Sequence, residues 1–173
     1  MQRRSGWTAS RWVGGSLLPL LLTATGCEQR AAPRVHVAAD TAAREVPFRL
    51  VGPNGVALVV AVHINGEGPF DFVFDTGATY TCLDQALARR LGLETRPGAG
   101  TGIGVSGVRR VPVVEVDSIR IGTNGIDGLR ACVLNLSHMR QLGIPIHGIV
   151  GLNFMKSFRI TLDFERERLR FEP

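Results

Sequence analysis

Three phenylalanines at alternate positions, Phe70, Phe72 and Phe74, lead directly into Asp75-Thr76-Gly77. Alternate residues of a strand share one face, so the three rings commit residues 70–74 to a strand with one side deep in a core. That strand delivers a carboxylate to the loop at its end. A carboxylate drawn into a core costs on the order of several kcal/mol unless it is paired or hydrogen-bonded. Gly77 lets the backbone approach closely enough for its amide to hold the ionised form. The Thr76 hydroxyl donates and accepts, and suits a role in locking the loop. Taken alone, Asp-Thr-Gly is also an ordinary turn after a strand, so its surroundings decide its meaning.

Those surroundings are mostly β. Residues 46–51 and 56–64 read as strands, the second rich in β-branched side chains, and Asn65-Gly66 follows as a tight hairpin turn into 70–74. Leu83, Ala86, Leu87 and Leu91 fall at helical spacing, with Gly92 as a stop. Residues 98–107 carry five glycines. Further strands are expected at 111–116, 118–121 and 129–136, with a turn at Asn124-Gly125. A short helix is expected around 152–157, then strands over 158–164 and 168–172. Many short strands separated by turn residues predict a closed or sandwiched β fold.

The N-terminus sets the compartment. Arg3, Arg4 and Arg11 precede an apolar run over 13–22, and small residues lead to Cys27. This is the order of a secretory signal. Ten helical residues span roughly 15 Å, about half of a bilayer core, so the run is too short for an ordinary spanning helix. Ala24 and Gly26 suit ordinary signal cleavage, whereas the cysteine directly after them resembles a bacterial lipobox, in which it is lipidated and becomes the new N-terminus. The lipobox reading is preferred, although Ala24 stands where Leu is usual. The expected organisation is a signal over 1–26, a tether over 27–44 that is poor in large apolar side chains, and one folded domain over 45–173.

Charge excludes one class of function. Of the 20 Lys and Arg, Arg3, Arg4 and Arg11 lie in the signal, which leaves 17 against 15 acidic residues. No basic stripe with interleaved aromatics remains, so nucleic acid is not an expected partner. Cys82 and Cys132 are left beside Cys27. An exported protein permits a disulfide between them, but spacing alone cannot bring two α-carbons together, and two buried thiols are the slightly favoured reading. No Cys-x-x-Cys or His-x-x-His spacing occurs, so no metal is expected.

A second element lies about seventy residues beyond Asp75: Gly148-Ile149-Val150-Gly151-Leu152-Asn153-Phe154, then Phe158-Arg-Ile-Thr-Leu-Asp-Phe. Together with Asp75-Thr76-Gly77-Ala78 it resembles the retropepsin-like aspartic proteases, in the branch found among bacterial exported proteins. The resemblance covers roughly 45–173. It implies an all-β fold with one or two short helices: a retropepsin-like closed β-barrel forming half of a two-fold dimeric enzyme. It also implies that Asp75 is the catalytic carboxylate, that Thr76 braces the opposite subunit's loop, and that Gly77 shapes the loop. Ile149, Val150 and Gly151 would support the site from beneath, and Gly102, Ile103 and Gly104 would belong to a flap over substrate. Viral relatives often pair an acidic residue at the position of Thr79 with an arginine at that of Leu152. Both are absent here, which leaves no orphan charge.

One Asp-Thr-Gly in 129 residues leaves no room for a second lobe. Two carboxylates at a symmetry axis would have to come from two copies of the chain. The implied activity is peptide-bond hydrolysis without a cofactor, on a peptide or protein substrate, by a homodimer tethered to a membrane through Cys27. The alternative from another class is a non-catalytic exported lipoprotein that keeps the fold only to hold peptide.

Several decoys fall away on context. Gly102-Ile-Gly104-Val-Ser-Gly107 fits the dinucleotide pattern, but β-branched residues and Pro112 follow where a helix should open. His63, His138 and His147 have no accompanying nucleophile motif. Asp117, Asp127 and Asp163 suit turns and strand ends.

Overall fold

The computed structural model describes residues 32–104 and 107–173. The signal segment 1–26, Cys27 and the start of the expected tether lie outside the described residues. The strands are β1 (Arg34–His36), β2 (Glu45–Val51), β3 (Ala57–Ile64), β4 (Glu67–Phe74), β5 (Cys82–Asp84), β6 (Arg96–Gly104), β7 (Gly107–Ile121), β8 (Asn124–Leu134), β9 (Gly148–Val150), β10 (Arg159–Asp163) and β11 (Arg168–Glu172). Short helices interrupt them: α1 (Gln85–Arg90), α2 (Ser137–Gln141) and α3 (Leu152–Met155). The fold is therefore mainly β with short helices, as expected. No helix among the described residues is long and apolar enough to cross a membrane.

The strands form one sheet in the order β10-β11-β2-β3-β4-β9-β5-β8-β7-β6, with β1 added to β8. A further ladder, β3 against β7, pairs Val62 with Ile121 and Ile64 with Ile119. It closes a circuit of ladders β3-β4-β9-β5-β8-β7 and back to β3. The main core gathers side chains from these strands, Val62, Phe70, Phe72, Phe74, Ile119 and Val150, with Phe48 of β2 and Phe171 of β11. The alternation read in residues 70–74 is the cause: Phe70, Phe72 and Phe74 are all buried, and the intervening Asp71 and Val73 are only half-buried.

The β3–β4 turn has the predicted chemistry. Asn65 (φ 51°) and Gly66 (φ 81°) both sit in left-handed backbone, which the tight hairpin requires. The β7–β8 turn lies two residues earlier than expected. Gly122 (φ 59°) makes the reversal, and Ile121 pairs with Asn124 as the last rung. Asn124 is buried, and its Oδ1 accepts the Ala38 amide at 3.0 Å. It serves the first strand's approach to the sheet rather than the turn.

Three further differences have local causes. The segment expected as tether is partly structured, since β1 pairs with residues 125–127 of β8. His36 Nε2 and Asp127 Oδ2 are 2.7 Å apart, and Arg120 Nη2 donates to Asp127 Oδ1. The glycine-rich stretch, for which no strand was set out, is largely strand β6 of a hairpin with β7. A Cβ at Gly100 would stand 2.5 Å from the Val113 side chain, so this glycine allows close packing on β7. Pro112, which has no amide to offer, falls opposite the register shift between Arg96 and Gly100. The helix predicted from Leu83 starts only at Gln85. Asp84 caps it by accepting the Ala86 amide, and Leu83 belongs to β5.

Cys82 and Cys132 are joined in a disulfide, contrary to the preference for free thiols. The β5–β8 ladder is parallel and places the two residues on one rung, with α-carbons 4.3 Å apart. That juxtaposition is a product of the sheet and is invisible to sequence spacing.

Candidate active site

Strand β9 lies between β4 and β5. It runs parallel to β4, with Phe72 opposite Gly148 and Phe74 opposite Val150, and antiparallel to β5. Residues 75–81, which connect β4 to β5, must therefore cross the end of β9. The two motifs read seventy residues apart become one structure by this route.

The crossing loop is held by a short set of directional contacts. The Asp75 amide donates to the Val150 carbonyl at 3.0 Å. The Gly77 amide donates to Asp75 Oδ1 at 2.8 Å, and the Ala78 amide to the Asp75 carbonyl at 3.2 Å. From the other side, the Leu152 amide donates to the Ala78 carbonyl and the Asn153 amide to the Thr79 carbonyl. Asp75 is half-buried, while Thr76 and Gly77 are exposed. The carboxylate thus sits where a buried strand meets solvent, with one oxygen engaged by a backbone amide. A charged acceptor for a backbone amide is one of the stronger hydrogen bonds.

Gly151 makes the close approach possible. A Cβ there would stand 2.8 Å from the Ala78 carbonyl oxygen and 2.5 Å from the Tyr80 carbonyl carbon. Gly148 has the same function one strand-length earlier, where a Cβ would meet the Phe72 ring and the Cys82 carbonyl. Val150 points into the main core. Ile149 turns to the opposite side of the sheet and packs against a smaller cluster of Ala57, Val59, Leu136, Ile144 and Ile146.

Two side chains completing this frame were not singled out from the sequence. Asn153 Oδ1 accepts the Thr81 amide at 2.6 Å, and its Nδ2 donates to the Arg130 carbonyl at 2.8 Å. Thr81 is fully buried, and its Oγ1 accepts the Gly151 amide at 3.2 Å. A third, Asp84, is a buried carboxylate whose oxygens accept the Ala86 and Leu136 amides. The available signal was the polar Thr81 and Asn153 set beside the two recognised motifs.

Gly102, Ile103 and Gly104 lie on rungs of a β6–β7 hairpin opposite Arg109, Val108 and Gly107. Its tip, residues 105–106, is outside the described residues. Farther down the hairpin, Val111 packs in one cluster with Cys82 and Cys132, and Tyr80 of the loop that carries Asp75 packs against that cluster.

The histidines read as bystanders have ordinary surroundings. His147 Nδ1 accepts the Asp71 amide at 3.3 Å, and its ring leans on Phe70. Asp127 bridges Arg120 and His36, and Asp163 caps the last turn by accepting the Arg166 amide. Among the described residues, no group of three or more His, Cys, Asp or Glu converges as a metal site.

A carboxylate loop at the end of a core strand thus crosses a glycine-flanked strand from about seventy residues later, in a mainly β protein. A family model described as Aspartyl protease matches residues 60–154, more than half of the chain, and the chain belongs to that family. No curated protein matches it in sequence. Two solved structures are similar at low identity. One is a retropepsin-like aspartic protease from Rickettsia conorii, at 16% identity and TM-score 0.48, covering 81% of this chain and 92% of that one. The other is the retroviral protease-like domain of Ddi1 from Leishmania major, at 18% identity and TM-score 0.43, covering 68% and 94% respectively.

Proposed function

We propose that the protein is an aspartic endopeptidase that works as a retropepsin-like homodimer, with Asp75 of each subunit facing the other across the two-fold axis. The observation that carries this reading is the Asp75 loop. Its carboxylate is half-exposed at the end of a buried strand, and the loop is fastened by residues 150–153 and by its own Gly77 amide.

Two carboxyl groups brought together cannot both ionise readily, so the pair holds one proton over a range of pH. The resulting pKa values belong to the pair rather than to either residue. The ionised member takes a proton from water, and the water oxygen bonds to the scissile carbonyl carbon. The protonated member donates to the carbonyl oxygen. The tetrahedral adduct then collapses: its C–N bond breaks, the amine nitrogen takes a proton, and a carboxylic acid and an amine leave. No covalent intermediate with the protein is needed. The single Asp-Thr-Gly in the chain supports a two-chain site, and activity should peak in acid to weakly acid solution, where the dyad carries one negative charge.

Export forms part of the reading, with lipid attachment at Cys27 after removal of residues 1–26. The basic, apolar and small-residue order of the N-terminus supports it, as does a disulfide suited to an oxidising compartment. Mass analysis of the mature N-terminus is the check, and an unmodified Cys27 behind an intact leader would refute it.

The activity is tested by cleavage of an unstructured peptide, with pepstatin as inhibitor. Asp75→Asn should lower kcat by about 10²–10⁴-fold while leaving the circular dichroism spectrum unchanged. Cleavage indifferent to that substitution would discard the mechanism.

A further inference from the structure

The disulfide stands at a particular place in the frame. Cys82 directly follows Thr81, and Thr81 is where the crossing loop is fastened on every side. Its amide is held by Asn153 Oδ1, its hydroxyl by the Gly151 amide, and its carbonyl by the Cys132 amide at 2.9 Å. One half of the bridge therefore adjoins this residue in sequence, and the other half is hydrogen-bonded to it. Strand β5, which must hold the loop's outgoing end, has only three residues. Both cysteines are almost fully buried, and they pack with Val111 of the flap hairpin and against Tyr80 of the loop.

From this placement we infer that the Cys82–Cys132 disulfide is a positioning latch for the Asp75 loop, and that peptidase activity is conditional on the bridge being oxidised. The inference rests on Asp75 being the catalytic carboxylate and adds a regulation of that same site.

The redox step is simple. A dithiol reductant attacks one cysteine sulfur as thiolate, the S–S bond breaks, and a mixed disulfide forms. The reductant's second thiol then displaces it. The two cysteines gain two electrons and two protons, and the reductant leaves as a cyclic disulfide. Two free thiols need a non-bonded separation where one covalent bond now holds the sulfurs. Both lie inside a packed cluster, so the added space must come from movement of its neighbours: β5, the end of β8 with Leu134, Tyr80 or Val111. Each of these is tied to the site: β5 through Thr81, β8 through the Cys132 amide on the Thr81 carbonyl, Tyr80 as part of the loop, and Val111 as part of the hairpin stem. Burial also keeps reductants out until the loop opens, so the latch responds to the compartment the protein is delivered to rather than to brief fluctuations.

The test uses the full chain, oxidised, then reduced with dithiothreitol and alkylated, beside the Cys82→Ala/Cys132→Ala double variant. Amide hydrogen exchange and peptide cleavage are read on all three. Breaking the bridge by either route should speed exchange at Gly77, Thr81, Gly151 and Asn153 by about tenfold or more, and leave the β3–β4 ladder protected. It should also lower kcat with little change in KM. Unchanged exchange at those four amides would overturn the inference. So would an equal loss of protection throughout β3 and β4, since the bridge would then be a general staple. If breaking the bridge gives this exchange pattern but oxidised wild-type chain never cleaves peptide, the peptidase reading fails and the latch stands as a structural device.

Discussion

At Gly151 the molecule leaves no space for a single carbon, because the Ala78 and Tyr80 carbonyls occupy the direction a side chain would take. Gly151→Ala must push the crossing loop away from β9. The expected cost is about 1–3 kcal/mol of stability, as for other overpacked sites. It should appear in thermal melts, together with a fall in peptide cleavage larger than the lost folded fraction explains. Equal stability and full activity would contradict the tight crossing. Asn153 sits at the same junction and uses both ends of its amide. Residue-scale legibility was uneven for a physical reason. Asp75 and Gly77 could be read because their chemistry is local: the amide that holds the carboxylate is two residues away. Thr81 and Asn153 find each other across 72 positions, and nothing in either residue announces its partner. The same holds for Asp84, whose acceptance of the Leu136 amide spans 52 positions.

Among the elements, β1 is the least secured by burial, since all three of its residues are exposed. Its His36 side chain is tied down by Asp127. The hydrogen bond from Arg120, and next that from His36, hold the Asp127 carboxyl below the ordinary carboxylate range. A lowered folded-state pKa means the stabilisation is complete above the unfolded-state value and fades as pH falls through the folded one. β1 should therefore stay paired through roughly pH 4, where free carboxylates are half protonated, and come loose only at lower pH, as Asp127 itself protonates. Amide exchange of the 34–36 segment across that range measures this. Asp127→Asn should release the strand at neutral pH without moving β3 or β4. The sequence concealed β1 because a three-residue exposed strand needs no apolar pattern. It concealed β6 because glycine, usually a loop residue, here makes room for Val111 and Val113. The strands with alternating burial, β4 and β11, were legible for the opposite reason: each has one face that must be dry.

At the scale of the whole molecule, mainly-β architecture was legible from turn spacing and β-branched runs. A closed or sandwiched arrangement was expected too, but the β3–β7 ladder was not legible, because it joins strands whose sequences carry no mark of one another. The dimer proposed for catalysis makes a prediction that no monomeric enzyme would meet. If each site needs Asp75 from both chains, mixing wild-type chain with an equal amount of Asp75→Asn chain, followed by subunit exchange, leaves about one quarter of the dimers with two native acids. Activity per total dimer should fall to that fraction. Activity at one half, as independent sites would give, would exclude a shared centre. The insertion of β9 between β4 and β5 has a consequence for the order of events in a newly made chain. The acid emerges from synthesis early, but the strand on which its loop rests comes about seventy residues later, close to the final hairpin. Until that late piece threads into its slot, the Asp75 loop lacks its contacts with Val150, Leu152 and Asn153 and keeps only local ones such as the Gly77 amide. An unfinished chain, or one cut before residue 148, lacks the strand that holds the Asp75 loop in place.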